Sequence, residues 1–130
     1  MNKQEIIEFW ITSSDDNYKS MLNMLKAGEY MWALFIGHLV IEKLLKAYYL
    51  KISGGDVPRT RDLLKLAVTA GMEINETMKD NLQYITLFNI ETRYEEYKRE
   101  FHKKCTRKFA HDSITKIKGI KKWLKEKLKN

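Results

Sequence analysis

The sequence predicts an all-α fold: an up-and-down bundle of four to five helices, forming a single domain over residues 1–130. Three observations carry that expectation. One proline, Pro58, and six glycines leave little material for the turns of a sandwich or barrel. Apolar residues recur at three- and four-residue intervals along most of the chain, which is the helical period. No repeat or low-complexity tract divides the chain, and 130 residues at 44% hydrophobic content suffice for one core.

A first helix is expected over residues 3–27, with Ile7, Trp10, Ile11, Tyr18, Met21, Leu22 and Leu25 at mostly helical intervals. "TSSDD" weakens its middle, because Ser and Asp compete for backbone hydrogen bonds, so a break recapped at Ser13 or Ser14 is the alternative. Gly28 is placed to close it in a left-handed conformation. The second helix, Glu29 to Ile52, is apolar nearly all round except at His38, Glu42, Lys43 and Lys46, the pattern of a bundle's central helix or a subunit interface. "SGGDVPRT" then reads as a flexible loop. Thr60 is expected to cap a short third helix, "RDLLKLAVTA", ended by Gly71. Asn75 opens a fourth, "ETMKDNLQYITLF", whose continuation through "NIETRYEEYKREF" is weakened by Asn89 and Thr92. The last helix spans Thr106 to Leu128.

Charge is unevenly placed. Residues 1–100 hold 13 Lys/Arg against 15 Asp/Glu, whereas residues 101–130 hold 11 against 2. The net charge of +7 therefore comes from the last segment, which points to an anionic partner. The single cysteine, Cys105, has no internal disulfide partner and fits a reducing, cytoplasmic setting as a small buried side chain. Glu5 and Glu8 interrupt any signal-peptide core. The longest uncharged run, 30–41, would be about 18 Å long as a helix and cannot cross a bilayer core of about 30 Å, so no membrane role is expected.

At 100° per residue, Ala110, Ser113, Ile114, Ile117, Ile120, Leu124 and Leu128 form one apolar stripe on the last helix. Arg107, His111, Lys118, Lys122, Lys125 and Lys129 form a second, cationic stripe with no carboxylate among its members. Such a ridge is either a solvated face or a polyanion-binding surface. Arg107 and His111 also stand one turn apart. Histidine transfers protons near neutral pH and arginine stabilises a pentavalent phosphoryl transition state, so the pair is a candidate for cleaving RNA through its own 2′-hydroxyl. One helix supplies one such pair, and a working site would need a second copy across a dimer. His38, Glu42 and Lys46 line one edge of the second helix, with Glu42 preceding Lys46 in the favourable i to i+4 order. That edge reads as internal or dimer pairing, with a ligand pocket as the alternative. His38, His102 and His111 lie far apart with no HxxxH or HExxH pairing, so no metal site is expected. "SGGD" lacks the lysine and helix of a phosphate loop, and no cofactor is indicated.

Four segments in order carry a family resemblance. Gly28, Glu29 and Tyr30 form a Gly-acid-Tyr turn; Glu42, Lys43, Lys46 and Ala47 form Glu-Lys-x-x-Lys-Ala. Pro58, Thr60, Asp62 and Leu63 form Pro-x-Thr-x-Asp-Leu, and Arg93–Tyr94 forms an Arg-Tyr pair. Over nearly its whole length the chain resembles the HEPN family of small helical domains. The resemblance implies an up-and-down bundle, commonly a homodimer, often paired with a minimal nucleotidyltransferase as toxin and antitoxin, and binding nucleotide or RNA. It adds Arg93 and Tyr94 to the binding candidates. Many members are metal-independent ribonucleases whose Arg-His motif is assembled from both protomers. Here Arg107 and His111 are separated by three residues, where the family pattern has four to six. Arg61 stands where many members have histidine, and Glu95 where proline follows the Arg-Tyr pair. Three readings stay open: a nucleotide- or RNA-binding module, a composite ribonuclease, and a non-catalytic protein-interaction module.

Overall fold

The computed structural model describes residues 2–129, which form six helices and, among those residues, no strand. In chain order they are α1 (Lys3–Lys26), α2 (Tyr30–Ser53), α3 (Leu63–Thr69), α4 (Glu76–Arg93), α5 (Glu95–Lys104) and α6 (Arg107–Lys129).

Helix α2 sits in the middle and touches each of the other five. Its Leu34, Ile41, Leu44 and Leu45 are fully buried and share one core with Met21 of α1, Leu66 of α3, Leu82, Ile85 and Phe88 of α4, and Ile117 and Ile120 of α6. The closest approach is at Gly37. A Cβ there would stand 2.5 Å from Ile117 Cδ1 and 3.1 Å from Met21 Sδ, so the missing side chain lets α2 settle between α1 and α6.

The helix ends follow the sequence closely. Asn2 and Asn75 accept backbone N–H bonds from Glu5 and Met78, capping α1 and α4. At the C-terminus of α1, Gly28 adopts φ +78°; its N–H reaches Leu25 O while Glu29 N reaches Met24 O, the paired bonds of a Schellman closure. Two expectations need correction, and one alternative is set aside. The first helix does not break at "TSSDD": Ser14 donates to Val40 O (2.8 Å), Ser13 and Asn17 accept from Lys43 (2.6 Å each), and Asp15 pairs with Lys125. Side chains that compete for local backbone bonds are occupied by α2 and α6 instead. Thr60 is not the cap of the third helix. It accepts from Asp62 N in a local turn, and Asp62 caps α3 by accepting from Lys65 N, so that helix begins two residues later than expected. The segment after "LF" stays helical to Arg93 and breaks at Tyr94, whose extended backbone (φ −95°, ψ 122°) ends α4 and starts α5. That break makes six helices instead of four to five.

Helix α6 runs unbroken. Thr106 caps it by accepting from Phe109 N, and Ala110, Ser113, Ile114, Ile117, Ile120 and Leu124 are buried along one side, with Leu128 half-buried at the end. Among the described residues, no helix is long and apolar enough to cross a membrane.

Candidate nucleic-acid interface

With its apolar stripe set into the bundle, α6 turns its cationic stripe outward. Arg107, His111, Lys118, Lys122 and Lys129 are exposed, spread over a helix about 33 Å long. None of these five has a carboxylate partner among the described residues. Lys125 differs: its Nζ lies 2.7 Å from Asp15 Oδ1 of α1. The expected all-positive ridge therefore receives one carboxylate from a neighbouring helix, which helix-wheel reasoning on α6 alone does not reveal. The lysines that flank the stripe lie against aromatic rings: Lys116 over Tyr84 (4.5 Å), Lys121 over Tyr18 (4.2 Å) and Lys127 over Trp123 (5.8 Å).

Arg107 and His111 come together as expected. They line a shared concavity with Leu25, Lys26 and Tyr30, at the turn between α1 and α2, and a shallower one with Lys108 and Asp112. Lys108 and Asp112 are themselves paired at 2.7 Å, which raises the Lys108 pKa and removes one cation from the site's reach. Lys26 and Tyr30 were not legible as neighbours of Arg107, since only tertiary packing brings the end of α1 to the start of α6. Arg93 and Tyr94 are exposed at the α4–α5 break, on a different element from the cationic stripe. Cys105 is buried, and burial pushes its thiol up to about 11, so it stays protonated at neutral pH.

His38, Glu42 and Lys46 form a cluster, and it is buried. His38 has no exposed surface and Glu42 only 5%. Glu42 Oε2 accepts from Lys46 Nζ at 3.1 Å, and Oε1 accepts from Arg61 Nη1 at 3.4 Å. His38 Nε2 lies 2.9 Å from Arg61 O, while Nδ1 stands 3.7 Å from Glu42 Oε1 with no hydrogen-bond partner. A carbonyl oxygen only accepts, so Nε2 carries the proton. Burial holds the His38 pKa below its ordinary 6.5, against the opposing pulls of the Arg61 carbonyl and Glu42. Lys43, one position on from Glu42, is also lowered by burial while it donates to α1. The internal-pairing reading of this edge matches the geometry. Its fourth member, Arg61, comes from the loop before α3, which spacing along α2 does not reveal. Among the described residues, no three His, Cys, Asp or Glu side chains gather to hold a metal ion.

A family model described as HEPN domain matches residues 7–128. The chain belongs to the HEPN family. Membership accounts for the helical bundle and points to a nucleotide- or RNA-related function, and HEPN domains often dimerise. Neither a curated protein nor a solved structure gave a match.

Proposed function

We propose that this HEPN protein binds RNA through the outward face of α6, acting as a homodimer. The observation that carries the reading is the row Arg107, His111, Lys118, Lys122 and Lys129: exposed and without carboxylate partners among the described residues, on one unbroken helix whose opposite side is buried in the bundle. Each phosphate neutralised releases counterions, so affinity falls with salt at a slope of about −0.7 per contact for single strands. Fluorescence anisotropy of a labelled single-stranded RNA across a salt series tests it. Four contacts would give a slope near −3, on the order of the charge available. Salt-independent binding, or none at low salt, rejects the reading. In the same reading the protein's natural partner is a minimal nucleotidyltransferase, in a toxin–antitoxin pair set in the cytoplasm; co-expression followed by co-purification checks that partnership.

A ribonuclease reading is favoured by one further observation, that Arg107 and His111 share a concavity with Lys26 and Tyr30. In it His111 takes the 2′-hydroxyl proton and Arg107 balances charge on the phosphorane, with a second protomer completing the site. Incubation with RNA in the presence of a chelator should yield cleavage that His111→Ala abolishes. Cleavage unchanged by that substitution sinks this reading.

A further inference from the structure

A second cationic surface lies on the far side of α2. Gly37 faces α6, and Lys46, nine positions later, is about 180° round the helix from it. There Lys46, Arg59, Thr60 and Arg61 line a concavity of about 260 Å³. Its charge is unbalanced. Glu42 is shared by Lys46 and Arg61, and Arg59 has no partner among the described residues. The next acid along, Asp62, is turned to the α3 N-terminus. Arg61 commits one guanidinium nitrogen to Glu42, leaving most of its donors open, and Thr60, which accepts from Asp62 N, still has a hydroxyl proton to donate. Two guanidinium forks beside a hydroxyl and an ammonium suit a tetrahedral oxyanion, and the volume leaves room for the first atoms of an ester.

Beneath Lys46 and Arg61, which both bond Glu42, lies an independent oddity. With Nε2–H donating to Arg61 O, the buried Nδ1 of neutral His38 presents a lone pair to a carboxylate oxygen, two acceptors face to face. Glu42 is thus satisfied only from outside, by Lys46 and Arg61. An anion that draws those two cations away leaves Glu42 with only the more distant Lys43, whose ammonium is held by Ser13 and Asn17. One proton from solvent on Nδ1 restores the counter-charge, since Nδ1–H can then donate to Oε1.

We propose that Lys46, Arg59, Thr60 and Arg61 form a binding site for the terminal phosphate of a small phosphomonoester, and that Glu42 exchanges its outer cations for a protonated His38 as the anion binds. The charged groups that face His38 are Glu42 and Lys46 on α2 and Arg61 from the loop. The site stands apart from the RNA surface and does not depend on it.

Two probes test it on the intact protein by isothermal titration calorimetry. Sulfate stays doubly ionised across neutral pH and isolates the protein's own titration; ribose 5-phosphate supplies the ester. Both should bind one per chain, more tightly at about pH 6 than at about pH 8 for sulfate, with proton uptake revealed by buffers of different ionisation enthalpy. Arg59→Gln, at an exposed position with no structural partner, should weaken both about tenfold. The double change Lys118→Gln, Lys122→Gln should leave both unaltered while lowering RNA affinity, which separates this site from α6. Wild-type affinity in Arg59→Gln, or equal weakening by the α6 changes, overturns the proposal. Sulfate binding without ribose 5-phosphate binding reduces it to an adventitious ion only. Binding with no proton uptake overturns the role given to Glu42 and His38.

Discussion

The two cationic regions of this protein use the same residue types in opposite ways. Along α6, Arg107, Lys118, Lys122 and Lys129 stand exposed without acids, and their mutual repulsion is tolerated because water screens it. Beside α2, Lys46 and Arg61 close over a carboxylate that is 5% exposed, with a histidine sealed beneath. Lysine content therefore says little about role. A cation held by a buried acid contributes to the fold whatever else it binds, whereas a cation left in water has no such structural duty. The difference should appear as a separation of effects, with stability responding to one region and RNA affinity to the other.

The largest expected effect is on the buried side. Glu42→Ala removes the acid from between Lys46, Arg61 and His38, and breaking a buried pair by deleting one partner costs about 3 kcal/mol or more. Arg61 can swing into solvent, so the figure belongs at the lower end of that range. Urea denaturation should show the loss as a lower midpoint with little change in slope. Stability within about 0.5 kcal/mol of wild type would mean the cluster is a surface feature, and the contrast drawn above would fail.

Next in size is the complementary test on α6. Lys118→Gln with Lys122→Gln should leave the denaturation midpoint in place, since neither side chain has a partner among the described residues. RNA affinity should fall about tenfold at moderate salt, with the salt slope reduced by about 1.4 for two lost contacts. Unchanged RNA binding would assign the face to solvation alone.

The pH dependence of stability sharpens the same contrast. Burial lowers the pKa of His38 in the folded state, so the unfolded chain takes up its proton first as pH falls. The resulting stability is present above about pH 6.5 and is lost as pH drops through that value towards the folded pKa. His38→Gln, which keeps a donor for Arg61 O, should flatten that part of the profile.

How much of this was legible in the sequence follows from the range of the forces involved. The bundle, the buried stripe of α6 and the caps at Asn75 and Gly28 are local or periodic features, and period and capping chemistry expose them. The long first helix was expected, but what holds it together through "TSSDD" was not legible, because it is tertiary: Val40 O, Lys43 and Lys125 come from other helices. The break at Tyr94 was hidden for a related reason. Asn89 and Thr92, the residues that weaken the helical pattern, are buried and remain helical, Thr92 by donating to Phe88 O, and the chain turns two residues later. For the candidate sites, spacing on one helix found Arg107 with His111 and His38 with Glu42 and Lys46. It could not find Asp15, Lys26, Arg59 or Arg61, since each joins its cluster from another segment.

Asp15 offers the finest test, because it sits where the two modes of use meet. It is an exposed acid on α1 whose one ion pair, to Lys125, ties α1 to α6 and takes a cation out of the row. Exposed pairs of this kind contribute about 0.2–1 kcal/mol, so Asp15→Asn should cost the fold little. The freed Lys125 would then rejoin Lys118, Lys122 and Lys129, which share its face at near-helical spacing. RNA affinity should rise by a few-fold at low salt, and the salt slope should steepen by about 0.7, the signature of one added contact. Lys125→Gln made on top of Asp15→Asn should cancel the gain. A rise in affinity that survives that second change would come from the loss of a negative charge near the RNA path, and Lys125 would then have no place in the contact row.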